Sequence, residues 1–191
     1  MIESLAAAAK EVVKNSSEVG KKFELPSFSE KLGEPSIKSL KEADKPLVSD
    51  VKEIKTNSQL DGKLHPATQI PFNRKEIVNP DGEIIRGVFP DFSSEKMFEA
   101  KLPENLYQST DPEQFKFCDQ ELKSSFDNKV LDTSNFSDRQ LEQISNGDKP
   151  EKFTWHHSEQ QGILELVPSD IHADTGHTGG RFIWGGGTDA R

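Results

Sequence analysis

Phe153-Thr-Trp-His-His157, Ser158-Glu-Gln-Gln-Gly162, Ile163-Leu-Glu-Leu-Val167 and Pro168-Ser-Asp-Ile-His172 follow one another without a break, and Gly176-His177 closes the run. The first and third blocks are rich in aromatic and aliphatic residues and short enough for strands. The polar block between them ends in glycine and suits a five-residue hairpin connection. Pro168 is placed to open a helix at its first position, with Asp170 near the positive end of that helix. The stretch therefore reads as strand, turn, strand, helix. Four of the five histidines of the chain lie in it, between His156 and His177.

Neighbouring side chains of a strand point to opposite faces, so His156 and His157 cannot face one spot in the same way. One is suited to hold a metal while the other faces a substrate beside it. On an unbroken helix His172 and His177 would stand about 140° apart, because each residue turns the helix by roughly 100°. A helix that ends at Gly176 in a left-handed conformation removes the conflict, since the chain then turns sharply and His177 can swing back toward His172. Two imidazoles at the helix end and one from the hairpin make a three-histidine site with an open position. That pattern suits a catalytic divalent cation (Zn, Ni, Mg or Mn) better than a closed structural site, which would want a fourth protein ligand. Such a cation binds a phosphodiester oxygen, while the remaining imidazole removes a proton from the attacking water. Gly179-Gly180 and Arg181 follow directly, where backbone amides and a guanidinium can approach a phosphate, and Arg181 is a candidate catalytic residue on that ground.

At these residues the sequence resembles the HNH, or ββα-metal, nucleases, in the branch whose first motif is Trp-His-His, found in colicin-like bacteriocins and bacterial polymorphic toxins. Trp155-His156-His157, the Leu166-Val167 strand end, His172 and His177-Thr-Gly-Gly180 fall where that branch has its motifs. Gly87-Val-Phe-Pro-Asp-Phe92 and Phe98-Glu-Ala-Lys-Leu-Pro103 also look like segments of these toxins, so the resemblance covers roughly residues 85–187. It implies His156, His172 and His177 as ligands of one divalent metal ion and His157 as general base. It further implies a nucleic-acid substrate, DNA favoured, a toxin delivered into the target-cell cytoplasm, and a cognate immunity protein. One departure stands out: the central Asn that in the family steadies the loop carrying the base has no counterpart between Gly162 and Val167. The orientation of His157 must then come from another group.

Upstream of the hairpin, two helices are expected. Asp111, Pro112 and Gln114 read as N-cap, first-position proline and returning arm of a capping box, with Phe115, Cys118, Leu122 and Phe126 along one face. Cys118 is then a core residue. Ser137 and Gln140 open the second helix, Leu141 and Ile144 are its buried positions, and Gly147 ends it. Glu83–Phe89 alternates as a strand after the Asp81-Gly82 turn. Trp155 and Trp184 are expected as core anchors, His65 as a solvated loop residue, and Glu99 as either a site-orienting or a surface carboxylate. Gly185-Gly186-Gly187 reads as a flexible tail.

The rest of the chain sets limits. Of 191 residues, 24 are basic and 33 acidic, a formal net charge of −9, and only 32% are hydrophobic. A chain this polar is not expected to be one packed globule throughout. Residues 1–85 carry 3 of the 15 aromatics, so the folded nuclease-like domain is placed at 86–191 and residues 1–85 are read as an arm or linker with a short helix at Met1–Asn15. The fold class expected is α+β: a small ββα-metal core with additional helices, preceded by an extended, largely irregular N-terminal arm. No stretch has the roughly 18 apolar residues of a membrane helix, and no secretory signal peptide is evident, so release without a classical signal is expected. A single cysteine excludes an internal disulfide framework and a multi-cysteine zinc site. The acidic balance disfavours broad basic contact with nucleic acid, so steering to a phosphate backbone must come from the cation and a local patch. Two other classes compete: a zinc-stabilised, non-catalytic binding module, and an immunity or adaptor protein suggested by the acidic charge alone.

Overall fold

The hairpin-helix unit forms as the sequence predicts. In the computed structural model, which describes residues 51–187, strand β6 (Phe153–His157) pairs antiparallel with β7 (Ile163–Pro168), and helix α3 (Ser169–Thr175) follows at once. Pro168 takes the N-cap position of α3, one residue earlier than expected, because it still belongs to β7. Gly162 closes the hairpin at φ +76°, where the Tyr107 ring lies so close that any side chain would collide with it. Strand β5 (Phe98–Lys101) joins the other edge of β7, giving a three-stranded sheet in the order β5-β7-β6.

Helix α1 (Asp111–Asp127) and helix α2 (Asp138–Asn146) cover this sheet. The N-cap of α1 is Thr110, and Glu113 completes the capping box, so the cap lies one residue upstream of the sequence expectation. That shift releases Gln114 from the cap and turns it inward. Cys118 and Leu122 are fully buried, with Phe115 and Phe126 packed beside them. Ser137, Gln140 and the left-handed Gly147 bound α2 as read from the sequence. Burial pushes the Cys118 thiol up to about 12, so it is a core residue and no nucleophile. Trp155 and Trp184 are buried in the same core, the first donating to Asp119 and the second to the Ser158 carbonyl.

A second sheet draws on residues from the segment read as an arm. Strands β1 (Lys52–Glu53), β2 (Lys63–Leu64) and β3 (Pro71–Val78) lie within the expected arm, yet they build a four-stranded sheet with β4 (Ile84–Pro90) in the order β1-β4-β3-β2. The β1–β4 pairing is parallel and the others antiparallel. Ile70 and Phe72 are buried with Val88, Phe92 and Val167 in a smaller cluster, against which Ile171 of α3 packs. Composition averaged over 85 residues hid two core side chains, Phe72, which pairs with Pro90 of β4, and Ile70 just before β3. The expected helix at Met1–Asn15 lies outside the described residues.

The same segment braces the helix that carries His172. Asn57 donates to the Gly176 carbonyl at 2.8 Å, and the Thr175 and Thr68 hydroxyls hydrogen-bond each other at 2.9 Å. His65, read as a solvated loop residue, is half-buried and engaged by Thr68 through Nδ1. Among the described residues no helix is long and apolar enough to cross a membrane.

Candidate metal centre

His156 and His157, adjacent on β6, turn to opposite sides as the pleat requires. His156 faces α3. Its partner across the hairpin is Glu165. His172 lies in α3, and the chain leaves that helix through Gly176 at φ +35°, a conformation that favours glycine. The turn brings His177 back, so that the His172 and His177 ring centroids are 5.1 Å apart, despite the angle that separates them on a continuous helix. One ligand nitrogen from each of His156, His172 and His177 lies within 4.8 Å of the others, and His177 Nε2 is 3.2 Å from His156 Nδ1. Phe92 supports all three rings, with centroid distances of 4.8, 5.9 and 5.7 Å to His156, His172 and His177.

Burial keeps this group neutral. Desolvation, and then the neighbouring His177, His172, His157 and Lys75, holds His156 well below the usual imidazole value. Burial lowers His172, and burial followed by the charge of His172 lowers His177 to about 4. Three neutral imidazoles with lone pairs converging are what a divalent cation requires. Two nitrogens bound at 2.0–2.1 Å in tetrahedral geometry would stand about 3.3 Å apart, close to the His156–His177 spacing. His177 Nδ1 is buried without a hydrogen-bond partner. The donor set fits a borderline-soft transition metal. Behind His156, Glu165 Oε2 lies 4.0 Å from Nε2, while its other oxygen is paired with Lys96 at 3.0 Å. Glu99, left open between two roles, is an exposed partner of the same lysine.

His157 points the other way, toward α1. Its ring is buried between Phe115 and Trp184, each with a ring centroid 5.6 Å away, and Nε2 is 2.7 Å from Gln114 Oε1. Arg181 reaches the same place from helix α4 (Gly180–Ile183), donating to the Ser109 carbonyl and to Gln114 Oε1, both at 3.1 Å. Its Nε lies 3.0 Å from Asp111 Oδ1 in an ion pair whose angle does not make a hydrogen bond. The glycines before it serve packing: a Cβ on Gly180 would fall 1.8 Å from the Ser158 carbonyl oxygen. A cleft of about 410 Å³ is lined by His156, His157, His172, His177, Asp111 and Arg181. The four histidines expected to act together are thus together, with Arg181 on the far wall beside His157.

A family model described as the DNase/tRNase domain of colicin-like bacteriocin matches residues 81–179, more than half of the chain. The chain belongs to this family. No curated protein and no solved structure matches it. The matched segment of this colicin-type nuclease begins at the turn before β4 and ends after His177, so it includes all four clustered histidines and Gln114 but stops short of Arg181. Phe92, Gln114 and Glu165 were not read from the sequence as site residues; Gln114 was read as part of a helix cap. Gln114 had a readable signal: it shares the i, i+4, i+8 face with Cys118 and Leu122, and a polar residue in a buried stripe needs partners.

Proposed function

We propose that this protein is a metal-dependent endonuclease that hydrolyses phosphodiester bonds of DNA and acts as an antibacterial toxin held in check by a cognate immunity protein. The observation that carries the reading is the division of labour on β6: His156 joins His172 and His177 in a converging neutral triad, while the next residue, His157, enters the same cleft from the opposite face. His156, His172 and His177 would hold one divalent cation. When bound, that cation supplies Lewis-acid stabilisation of the negative charge that develops on a phosphodiester. The rest falls to the chain. Phe92 keeps the three rings in place and water away from their buried side, which favours ligation over protonation. His157 takes the proton of the attacking water, the role of a general base. Arg181, fixed by Ser109, Gln114 and Asp111, sets a guanidinium in the cleft wall on the His157 side, where it would meet a phosphate, although its pairing with Asp111 offsets part of the charge.

The family membership supports the toxin role. A nuclease active in the cytoplasm would damage its producer, so an inhibitor that covers the cleft or its rim is needed, and an acidic toxin calls for basic patches on that partner. Delivery into the target-cell cytoplasm follows from where the substrate is.

The test is incubation of the purified chain with plasmid, linear DNA and RNA in Mg²⁺, Mn²⁺, Ni²⁺ or Zn²⁺, beside the alanine variants of the four histidines. Plasmid cleavage that needs metal is expected. His157→Ala should lower the rate by about 10²–10⁴-fold, the usual worth of a general base, while metal binding persists by calorimetry. Cleavage by His157→Ala at the wild-type rate would remove His157 from the chemistry, and cleavage undiminished by chelator would remove the metal.

A further inference from the structure

The polar atoms around Gln114 leave its amide only one orientation. Gln114 is completely buried, and its Nε2 lies 2.7 Å from the Leu106 carbonyl and 2.9 Å from the Tyr107 carbonyl. Both are acceptors, so the NH₂ end must face them; a flipped amide would set its oxygen against two carbonyl oxygens. Oε1 then faces the opposite way, where Arg181 NH1, a donor in every protonation state, gives it one hydrogen bond at 3.1 Å. The second group on Oε1 is His157 Nε2 at 2.7 Å. An amide oxygen cannot donate. His157 Nε2 must therefore carry a proton, and in the neutral ring the basic lone pair resides on Nδ1.

We propose that Gln114 is a positioning residue for the reaction: it holds His157 in the Nε2–H tautomer and fixes the ring plane, so that Nδ1 is the nitrogen able to accept a proton. The tautomer follows from the hydrogen bonds alone; its catalytic use rests on the reading of His157 as the base. Arg181 and Asp111 complete the arrangement, and Asp111 Oδ1, 3.8 Å from His157 Nε2, also favours a proton on that nitrogen. Arg181 takes up the remaining acceptor capacity of Oε1, and Asp111 holds the guanidinium in place. The family's steadying Asn has no counterpart in the hairpin, and here the orienting amide comes instead from a helix that is 43 residues upstream in sequence.

The tautomer is read from two-bond ¹⁵N–¹H correlations on the ¹⁵N-labelled full chain, without and with Zn²⁺, with His157 assigned by its loss in His157→Ala. A proton-bearing Nε2 and a lone-pair Nδ1 are expected. The reverse pattern in the wild-type protein overturns the proposal, whatever the activity. Gln114→Leu should release the tautomer and lower kcat by about 10- to 100-fold, the usual cost of losing an orienting partner, with KM little changed. Gln114→Glu, which keeps an acceptor toward His157 but loses both donors, should retain the Nε2–H form, and it remains informative if Gln114→Leu does not fold. Lost activity in Gln114→Leu with an unchanged tautomer would make the residue's role structural and sink the proposal. Failure of the base reading looks different: His157→Ala would then remain active while the wild-type tautomer is as stated.

Discussion

The imidazole of His177 is the site group whose titration has the clearest consequence. Its folded value of about 4 lies below the ordinary 6.5 because burial and the nearby His172 disfavour the charged ring. The unfolded chain therefore binds more protons between these values. The stability contributed by a neutral His177 is fully present above about pH 6.5 and is lost as the pH falls toward 4. His156 and His172 are shifted in the same direction and add to the trend. The metal-free protein should show a melting temperature that falls steadily on acidification from pH 7 to 4, and His177→Ala should flatten that slope. A scan by circular dichroism checks both. A metal that occupies the triad competes with the same protons, so its affinity should fall over the same window. The sequence showed which residues these are; their depressed values depend on Phe92 and on a buried wall that no spacing rule reveals.

At the scale of elements, most strand and helix assignments near the hairpin were readable, because alternation, capping residues and glycine stops are local signals. The errors were single-residue shifts at N-termini: Thr110 rather than Asp111 caps α1, and Pro168 is shared by β7 and α3. A one-residue shift is minor for an element and decisive for a side chain, since it moved Gln114 from an exposed cap into the site. The segment from Gly179 to α4 leaves no room for a side chain at Gly180. A Cβ on Gly180 would stand 1.8 Å from the Ser158 carbonyl oxygen and 2.3 Å from Trp184 Nε1, against backbone that cannot yield cheaply. Gly180→Ala should destabilise the fold by about 1–3 kcal/mol, the usual cost of overpacking, and displace Arg181. Denaturant unfolding measures the first effect. Reduced cleavage in conditions where the variant is still folded reports the second.

For the whole molecule, the two sheets meet where the metal centre is built. Phe92, two residues after β4, supports rings from β6, α3 and the turn beyond it, and Asn57 and Thr68, in the connections between β1, β2 and β3, bond to the end of α3. A fragment beginning at residue 86 would lose β3, the buried Ile70 and Phe72, and both ties. It should be unfolded or aggregated by circular dichroism, whereas a separable arm would leave residues 86–191 folded. Chelation separates catalytic from structural metal at the same scale. A core this well filled should keep its fold without metal, with a stabilisation of about 2.7 kcal/mol regained when free metal stands at 100 times its dissociation constant. Unfolding of the whole domain on chelator treatment, read by loss of its circular dichroism signal, would instead favour the zinc-stabilised module. By itself the sequence determined the strand-turn-strand-helix unit, the four histidines and their family, because these rest on local periodicity and on rare residue types set close together. Long-range contacts alone reveal that strands within residues 51–85 pair with β4, that Phe92 backs the triad and that Gln114 meets His157. Those contacts join residues tens of positions apart, through register and burial that composition and spacing do not encode.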